Sequence, residues 1–410
     1  MKLKATPADF VVTEEGAEPA DPLSSDRPVP TDRAALSDRP LAWAVFELSK
    51  TSWDTFDLVD LLSRTWRVPR DAIRLGGIKD RHGSTTQRIS VRGLTARPAA
   101  LGDRNWKARF LGWSDEPISA RDIRGNRFRI TLRDLTEPET ALISANAQEA
   151  ARDGFPNYFD SQRFGSARHG RGFMGKEIFL GHREKALRLY FTPSRHDDRK
   201  TRALKSCVLE NWNRWEKCAG LGFGEYGRVL AVLAEHRGAY HKALERIDRQ
   251  FLVFVLNAYQ SFLFNELLSR WLTETAAAHG IPLTSLRAPF GTLELYHALP
   301  AAAAAGIKAT LLPVPGHDTQ VTDLRVKALL DEVLAAEEIG LSDLRVRQMT
   351  RIRVGGVERP AVTVPQDFSV SAAEPDELYP GRRKVLLSFF LPRGAYATLL
   401  VKRLLLARAR

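Results

Sequence analysis

The sequence predicts an α+β fold in which a helical block interrupts a strand-rich domain. Three observations predict it. Strand-patterned segments lie near both ends of the chain, at 9–15 and 384–391. From about residue 183 the texture turns helical. The segment 251–272 places Leu252, Leu256, Tyr259, Leu263 and Leu267 on one stripe, the strongest helical pattern present. Strands on either side of a helical middle are what an insertion into one α+β domain produces.

The elements follow in order. Asp9 to Glu15 reads as an opening strand. Residues 16–41 are rich in Pro, Ser, Asp and Ala and contain Ser-Asp-Arg-Pro twice, so they read as a mobile loop. Trp43 to Leu48 is a strand. Asp54 or Thr55 then caps a helix whose Leu58, Val59, Leu62 and Trp66 recur at helical spacing. A strand at 73–78, with Leu75 inward, leads into a polar loop. Ile89 and Val91 alternate with Arg88, Ser90 and Arg92 in the strand beyond it. In 126–133, Phe128, Ile130 and Leu132 alternate with Arg127, Arg129 and Arg133, giving a core face and a row of arginines facing solvent or phosphates. Residues 138–153 form a helix ending before Gly154. After the strand at 384–391, a last helix starts near Ala395.

Composition bounds the function. A chain of 410 residues suits about two domains. Lysine and arginine number 61 against 49 acids, a net charge of +12, and the pI is near 9.8. Such a surplus favours polyanionic partners. No run of 18 apolar residues suggests a membrane span, and the first residues lack a secretory pattern, so the expected location is cytoplasmic. Cys207 and Cys218 form no Cys-x-x-Cys pair and are expected reduced, near a helix core; no metal site is expected.

Gly170-x-Gly172-x-x-Gly175 superficially fits a dinucleotide fingerprint, but no strand precedes it, and it reads as a glycine-rich loop. No serine-hydrolase elbow or zinc-protease motif is present. Lys79-Asp80-Arg81 sets a carboxylate between two cations, which favours its ionised, nucleophilic form. Neighbours on an extended chain point to opposite faces, so part of the charge partnership of Asp80 has to come from elsewhere. In Asn157-Tyr158-Phe159, aromatics beside an amide suit stacking and hydrogen bonding of an extruded base, and equally a core.

Gly77-x-Lys79-Asp80-Arg81-x-x-x-Thr85-x-Gln87 and Asn157-Tyr158-Phe159-x-x-Gln162-Arg163-Phe164-Gly165 resemble the two signature motifs of the TruD family of transfer-RNA pseudouridine synthases. Pro7-x-Asp9-Phe10-Val11-Val12, Leu48-x-Lys50, Gly125-Asn126-x-Phe128, Leu263-Phe264-Asn265 and Leu391-Pro392-x-Gly394-x-Tyr396 resemble further segments of it, in order along the chain. Gly76 and Asp160 depart from the common pattern, and Asp160 would add negative charge near the RNA path.

The resemblance implies a pseudouridine synthase catalytic domain at 1–182 and 357–410, built on a mixed, mainly antiparallel sheet. An α/β, helix-rich domain at 183–356 would interrupt it. It implies that uridine, at position 13 in the D-arm region of transfer RNA, is isomerised without a cofactor, with no membrane and no obligate protein partner. Asp80 would be the nucleophile. Phe159 would stack on the uracil, Phe10 and Tyr396 would close the pocket, and Asn157 would hydrogen-bond there. Lys79, Arg81, Gln87 and Arg163 would also contact the substrate. Arg124, Arg127, Arg129, Arg163, Arg168 and 199–202 are candidate phosphate contacts. The readings weighed against this are a non-catalytic RNA-binding protein or RNA chaperone on the same scaffold, and an RNA methyltransferase, for which no cofactor loop is evident.

Overall fold

A computed structural model describes residues 1–16, 36–165, 172–194, 197–346, 349 and 352–407. The chain folds into two units, Met1–Gly154 with the chain from Thr363 onward, and Phe155–Val362. The divisions therefore fall at 154/155 and 362/363, not at 182/183 and 356/357. The stretch 155–182 belongs with the helical unit because Phe155, Tyr158, Phe164 and Phe173 are buried there.

In the first unit the strands are β1 (Phe10–Gly16), β2 (Trp43–Thr51), β3 (Ile73–Leu75), β4 (Ser84–Arg92), β5 (Leu101–Gly102), β6 (Trp106–Ser114) and β7 (Ile123–Leu135). The C-terminal segment adds β14 (Gln366–Val370), β15 (Glu374–Pro375) and β16 (Arg383–Pro392). They form one ten-stranded sheet in the order β14-β16-β7-β1-β4-β2-β6-β5, with β15 on β16 and β3 on β4. Among the described residues of this sheet, only β1 and β4 run parallel; every other pairing in it is antiparallel. This is the mixed, mainly antiparallel sheet expected.

One edge of β4 changes partner along its length. Ile89 to Val91 pair with β3, and Ser84 to Thr86 pair with β1. The loop 76–83 leaves the sheet at that change. Helix α1 (Thr55–Trp66) begins at Asp54, whose carboxylate accepts the backbone N–H of Phe56 at 2.8 Å. Its Leu58, Val59 and Leu62 pack against Phe46, Leu48, Ile89 and Val91. Helices α2 (Glu137–Asp153) and α12 (Ala397–Leu404) also belong to this unit.

Two expectations change here. The row of arginines expected to face solvent or phosphates in β7 is broken by Asp134, whose φ of 54° coincides with a register shift against β16. Leu132 and Arg133 are consequently both buried. Ser37, inside the stretch read as mobile, pairs with Trp113 through both backbone groups at 2.9 Å; residues 17–35 lie outside the described residues.

The second unit is organised on α9 (Arg249–His279), capped by Asp248 and ended by Gly280 in the left-handed region. All five residues of its expected stripe are buried. By length and composition α9 would cross a bilayer, but 67% of its most apolar window is buried inside the protein, as in a core helix. Before it run β8 (Phe155–Pro156), α3 (Ser161–Phe164), α4 (Met174–Phe179), α5 (Arg183–Tyr190), α6 (Arg199–Glu210), a 3-10 turn at Trp215–Leu221, α7 (Gly224–Glu235) and α8 (Tyr240–Leu244). After it come the hairpin of β9 (Leu283–Ala288) and β10 (Gly291–Tyr296), α10 (Ala301–Ala309), β11 (Leu311–Val314), α11 (Leu324–Ala336) and β12 (Val357–Pro360), which pairs with β11. At β13 (Val362–Thr363) the chain leaves the unit.

Gly175 is in α4, not a loop. A Cβ there would lie 2.3 Å from the carbonyl oxygen of Val255, so the glycine permits close helix packing. Cys207 and Cys218 are not reduced. They form a disulfide with Cα atoms 6.0 Å apart, tying α6 to the 3-10 turn.

Candidate active site

The loop 76–83 owes its path to tight packing. A Cβ on Gly83 would sit 2.7 Å from the Phe10 carbonyl oxygen, and one on Gly76 would sit 2.4 Å from Ile123 Cδ1. Glycine at 76, a departure from the usual motif, is what this neighbour requires.

Within the loop, successive side chains diverge. Lys79 turns inward, its Nζ 2.7 Å from Glu14 Oε2, with both side chains nearly buried. Arg81 is exposed. Asp80 lies between them, with 35% of its side chain accessible against 3% for Glu14, so Asp80 is the carboxylate a substrate can reach. Its charge partner is Lys4, whose Nζ is 2.9 Å from Asp80 Oδ2 and 4.0 Å above the ring of Phe10.

A second lysine holds the backbone. Lys50, 1% exposed, donates to the carbonyl oxygens of Asp80 at 2.7 Å and Trp53 at 2.9 Å. Burial holds its ammonium pKa below the ordinary lysine range, and the charges of Asp54 and Asp80 oppose that shift. Thr55 Oγ1 donates to the Lys79 carbonyl at 3.1 Å.

Lys4 is positioned by an ion network. Lys2 pairs its backbone with Arg133, and the Thr6 N–H donates to Asp9 Oδ2 at 2.7 Å. The buried Arg133 guanidinium donates to Asp9 at 2.7 Å and Asp376 at 2.9 Å, and pairs with Glu377 at 2.9 Å. The opening segment is thus clamped at both sides of Lys4.

Two expected contact residues are less accessible than foreseen. Gln87 is buried under the loop, 2% exposed, and donates to the Gly77 carbonyl at 3.4 Å. Phe10, also 2% exposed, packs edge-on against Phe128. Tyr396 is half-buried at the start of α12. Among the candidate phosphate contacts, Arg127 is paired with Glu15 and Asp367, Arg124 is bonded to Gln366, and Arg129 is exposed; Arg168 lies outside the described residues.

In the second unit, the Asn157–Phe159 segment is held by Arg359, which the sequence reading did not single out. Its guanidinium donates to Asn157 O at 2.9 Å and Asn157 Oδ1 at 2.7 Å. It also stands 4.1 Å from the centroid of the Phe159 ring. Asn157 Nδ2 donates to the Pro360 carbonyl at 3.0 Å, so this buried carboxamide, expected to meet the base, has both ends engaged by its own unit. Asn265 brackets Phe159, accepting its N–H and donating to its carbonyl, each at 2.8 Å. Phe159, edge-on to Phe264, is the one member of the triplet that is not fully buried. Arg163 Nε donates to Ser261 Oγ at 3.0 Å. Asp160 caps α3 and is 1% exposed, so its charge does not project outward as expected.

A reachable carboxylate held by one ammonium, on a backbone pinned by another, suits attack on an electrophilic carbon. Comparison with known proteins decides the family. The model of the family described as tRNA pseudouridine synthase D (TruD) matches residues 1–404. The chain belongs to the TruD family. A tRNA pseudouridine synthase D of Leptospira interrogans is 28% identical over 98% of this chain and 96% of its own length. A Methanococcus maripaludis relative, "Probable tRNA pseudouridine synthase D 1", is 27% identical over 88% of this chain and 92% of its own. A TruD crystal structure from Methanosarcina mazei superimposes with a TM-score of 0.67, covering 98% of this chain and 93% of that one at 24% identity, a likeness of fold. TruD membership places the chain among pseudouridine synthases, which are isomerases.

Proposed function

We propose that this TruD protein converts uridine 13, in the D-arm region of transfer RNA, to pseudouridine, with Asp80 as the nucleophile. The reading rests on one observation above all: Asp80 is reachable and ion-paired to Lys4, while Lys50 fixes its backbone. The reaction breaks the uracil N1–C1′ bond, turns the base and joins C5 to C1′. N1 gains a proton and C5 loses one, so substrate and product are isomers and no redox or energy source is required. The carboxylate acts as an anion, attacking C1′ as the base leaves or adding to C6. Phe159 is the candidate on which an extruded base stacks, a contact worth roughly 1–3 kcal/mol.

The test is carbodiimide mapping of an unmodified transfer-RNA transcript after incubation with the protein. Pseudouridine at position 13 is the expected result. Conversion only at another position contradicts the target, and no conversion at any position contradicts the activity.

A further inference from the structure

The charge of the molecule is unevenly placed. Residues 183–250 carry 15 lysines and arginines against nine acids, a surplus of six, half of the net +12 of the chain. The rest of the unit from 251 to 362 carries ten against 11.

Folding engages some of the acids of this block, while Glu210 and Glu216 stay exposed. Glu184 bonds to Arg188 and to the indole N–H of Trp212. Asp197 pairs with the buried Lys205, and Asp198 caps α6. Glu225 accepts from Tyr190 and from the Asp248 N–H, while Asp248 caps α9. Five of the nine acids are thus engaged within or beside the block. Arg199, Lys200, Arg214 and Lys217 are exposed, with no ion pair among the described residues.

These cations stand at both ends of α6, which spans about 18 Å at the α-helical rise and is stapled to the following turn by the Cys207–Cys218 disulfide. Aromatics are interleaved with the charge. Lys200 Nζ lies 4.3 Å from the centroid of the half-buried Phe223. Arg188 lies 4.2 Å from that of the half-buried Trp212, beside Tyr240. Cations with half-exposed rings on a fixed support are the chemistry of a sequence-tolerant RNA-backbone surface.

We infer that the helical block α5–α8, in the unit that does not contain Asp80, is an RNA-backbone binding surface centred on the two ends of α6. The inference rests on the transfer-RNA reading above and adds a surface to it.

The experiment titrates the full chain with unmodified transfer RNA at several salt concentrations, for the parent and for Arg199→Gln/Lys200→Gln/Arg214→Gln/Lys217→Gln. Each phosphate contact contributes a slope of about 0.7–0.9 to log affinity against log salt. The variant is expected to bind roughly tenfold or more weakly at moderate salt, with a shallower slope. Should the fourfold variant melt early, neutralising 199/200 and 214/217 separately should each give part of the slope change, and Arg199→Lys/Arg214→Lys should keep the parental slope. A folded variant with parental affinity and slope overturns the inference alone. A parent chain that does not bind transfer RNA overturns it together with the reading on which it rests.

Discussion

The two signature segments look alike in sequence, each a short polar run with charges and amides, yet the two units treat them oppositely. The first unit presents its segment. The Asp80 carboxylate stays reachable while its backbone and counter-ion are fixed by Lys50 and Lys4. The second unit consumes the start of its segment, binding Asn157 and Tyr158 through Arg359 and the backbone of Phe159 through Asn265, and of these three residues only Phe159 is half-exposed. One motif therefore offers a reachable, ion-paired carboxylate and the other offers a ring on a rigid support. A motif's polar residues do not announce which of these they do; their partners decide it.

This contrast can be broken by removing partners. Arg359→Met takes a buried donor from Asn157 and leaves its oxygens without it, so a loss of about 3 kcal/mol or more is expected from unmade buried hydrogen bonds. Chemical denaturation checks this, and a parental midpoint would show that the segment does not depend on Arg359. Lys4→Met should leave the fold intact and slow single-turnover pseudouridylation roughly a hundredfold, the scale on which misplaced reacting groups lose rate. Turnover equal to the parent would mean that the Lys4–Asp80 pair is not part of the chemistry.

Cys207→Ser opens a staple with a sequence separation of 11. A short closed loop is worth roughly 2–3 kcal/mol, and Asp80-dependent turnover at low temperature should not change. Thermal melts with and without reductant, on parent and variant, measure it; coincident curves would contradict the stapling role.

The smallest effect concerns acid. Hydrogen bonds from Arg133 and then Lys384 hold Glu377 down at about 2, below its ordinary 4.5. A depressed carboxylate stabilises the fold above its unfolded pKa, and that stability is lost as pH falls from about 4.5 towards 2. Glu377→Gln should therefore flatten the fall in melting temperature across that window. An unchanged acid profile would contradict the contribution.

The sequence made much of the first unit legible because its signals are local. Alternation marked β4 and β7, and the helical spacing of Leu58, Val59, Leu62 and Trp66 marked α1, with its cap left between Asp54 and Thr55 until the structure showed Asp54. Composition and stripe marked α9, and the charged loop with its signature marked Asp80. What stayed hidden was long-range. Lys4 meets Asp80 across 76 positions, and Arg359 meets Asn157 across 202, distances at which no periodicity speaks. Arg133 read as an outward arginine because alternation assumes an unbroken strand, and the positive φ of Asp134 breaks it. The disulfide left no mark, since two cysteines 11 positions apart are equally compatible with free thiols.

The central claim is that Asp80 supplies the anion on which the reaction depends. Asp80→Asn keeps the size of the side chain and most of its hydrogen-bonding capacity, and removes the charge. The most direct measurement is single-turnover tritium release from C5-labelled uridine in transfer RNA, run beside a binding titration on the same preparation. The account predicts that Asp80→Asn binds transfer RNA nearly as well as the parent and releases tritium at background rate. Substantial release by the variant, in material free of contaminating enzyme, would contradict it.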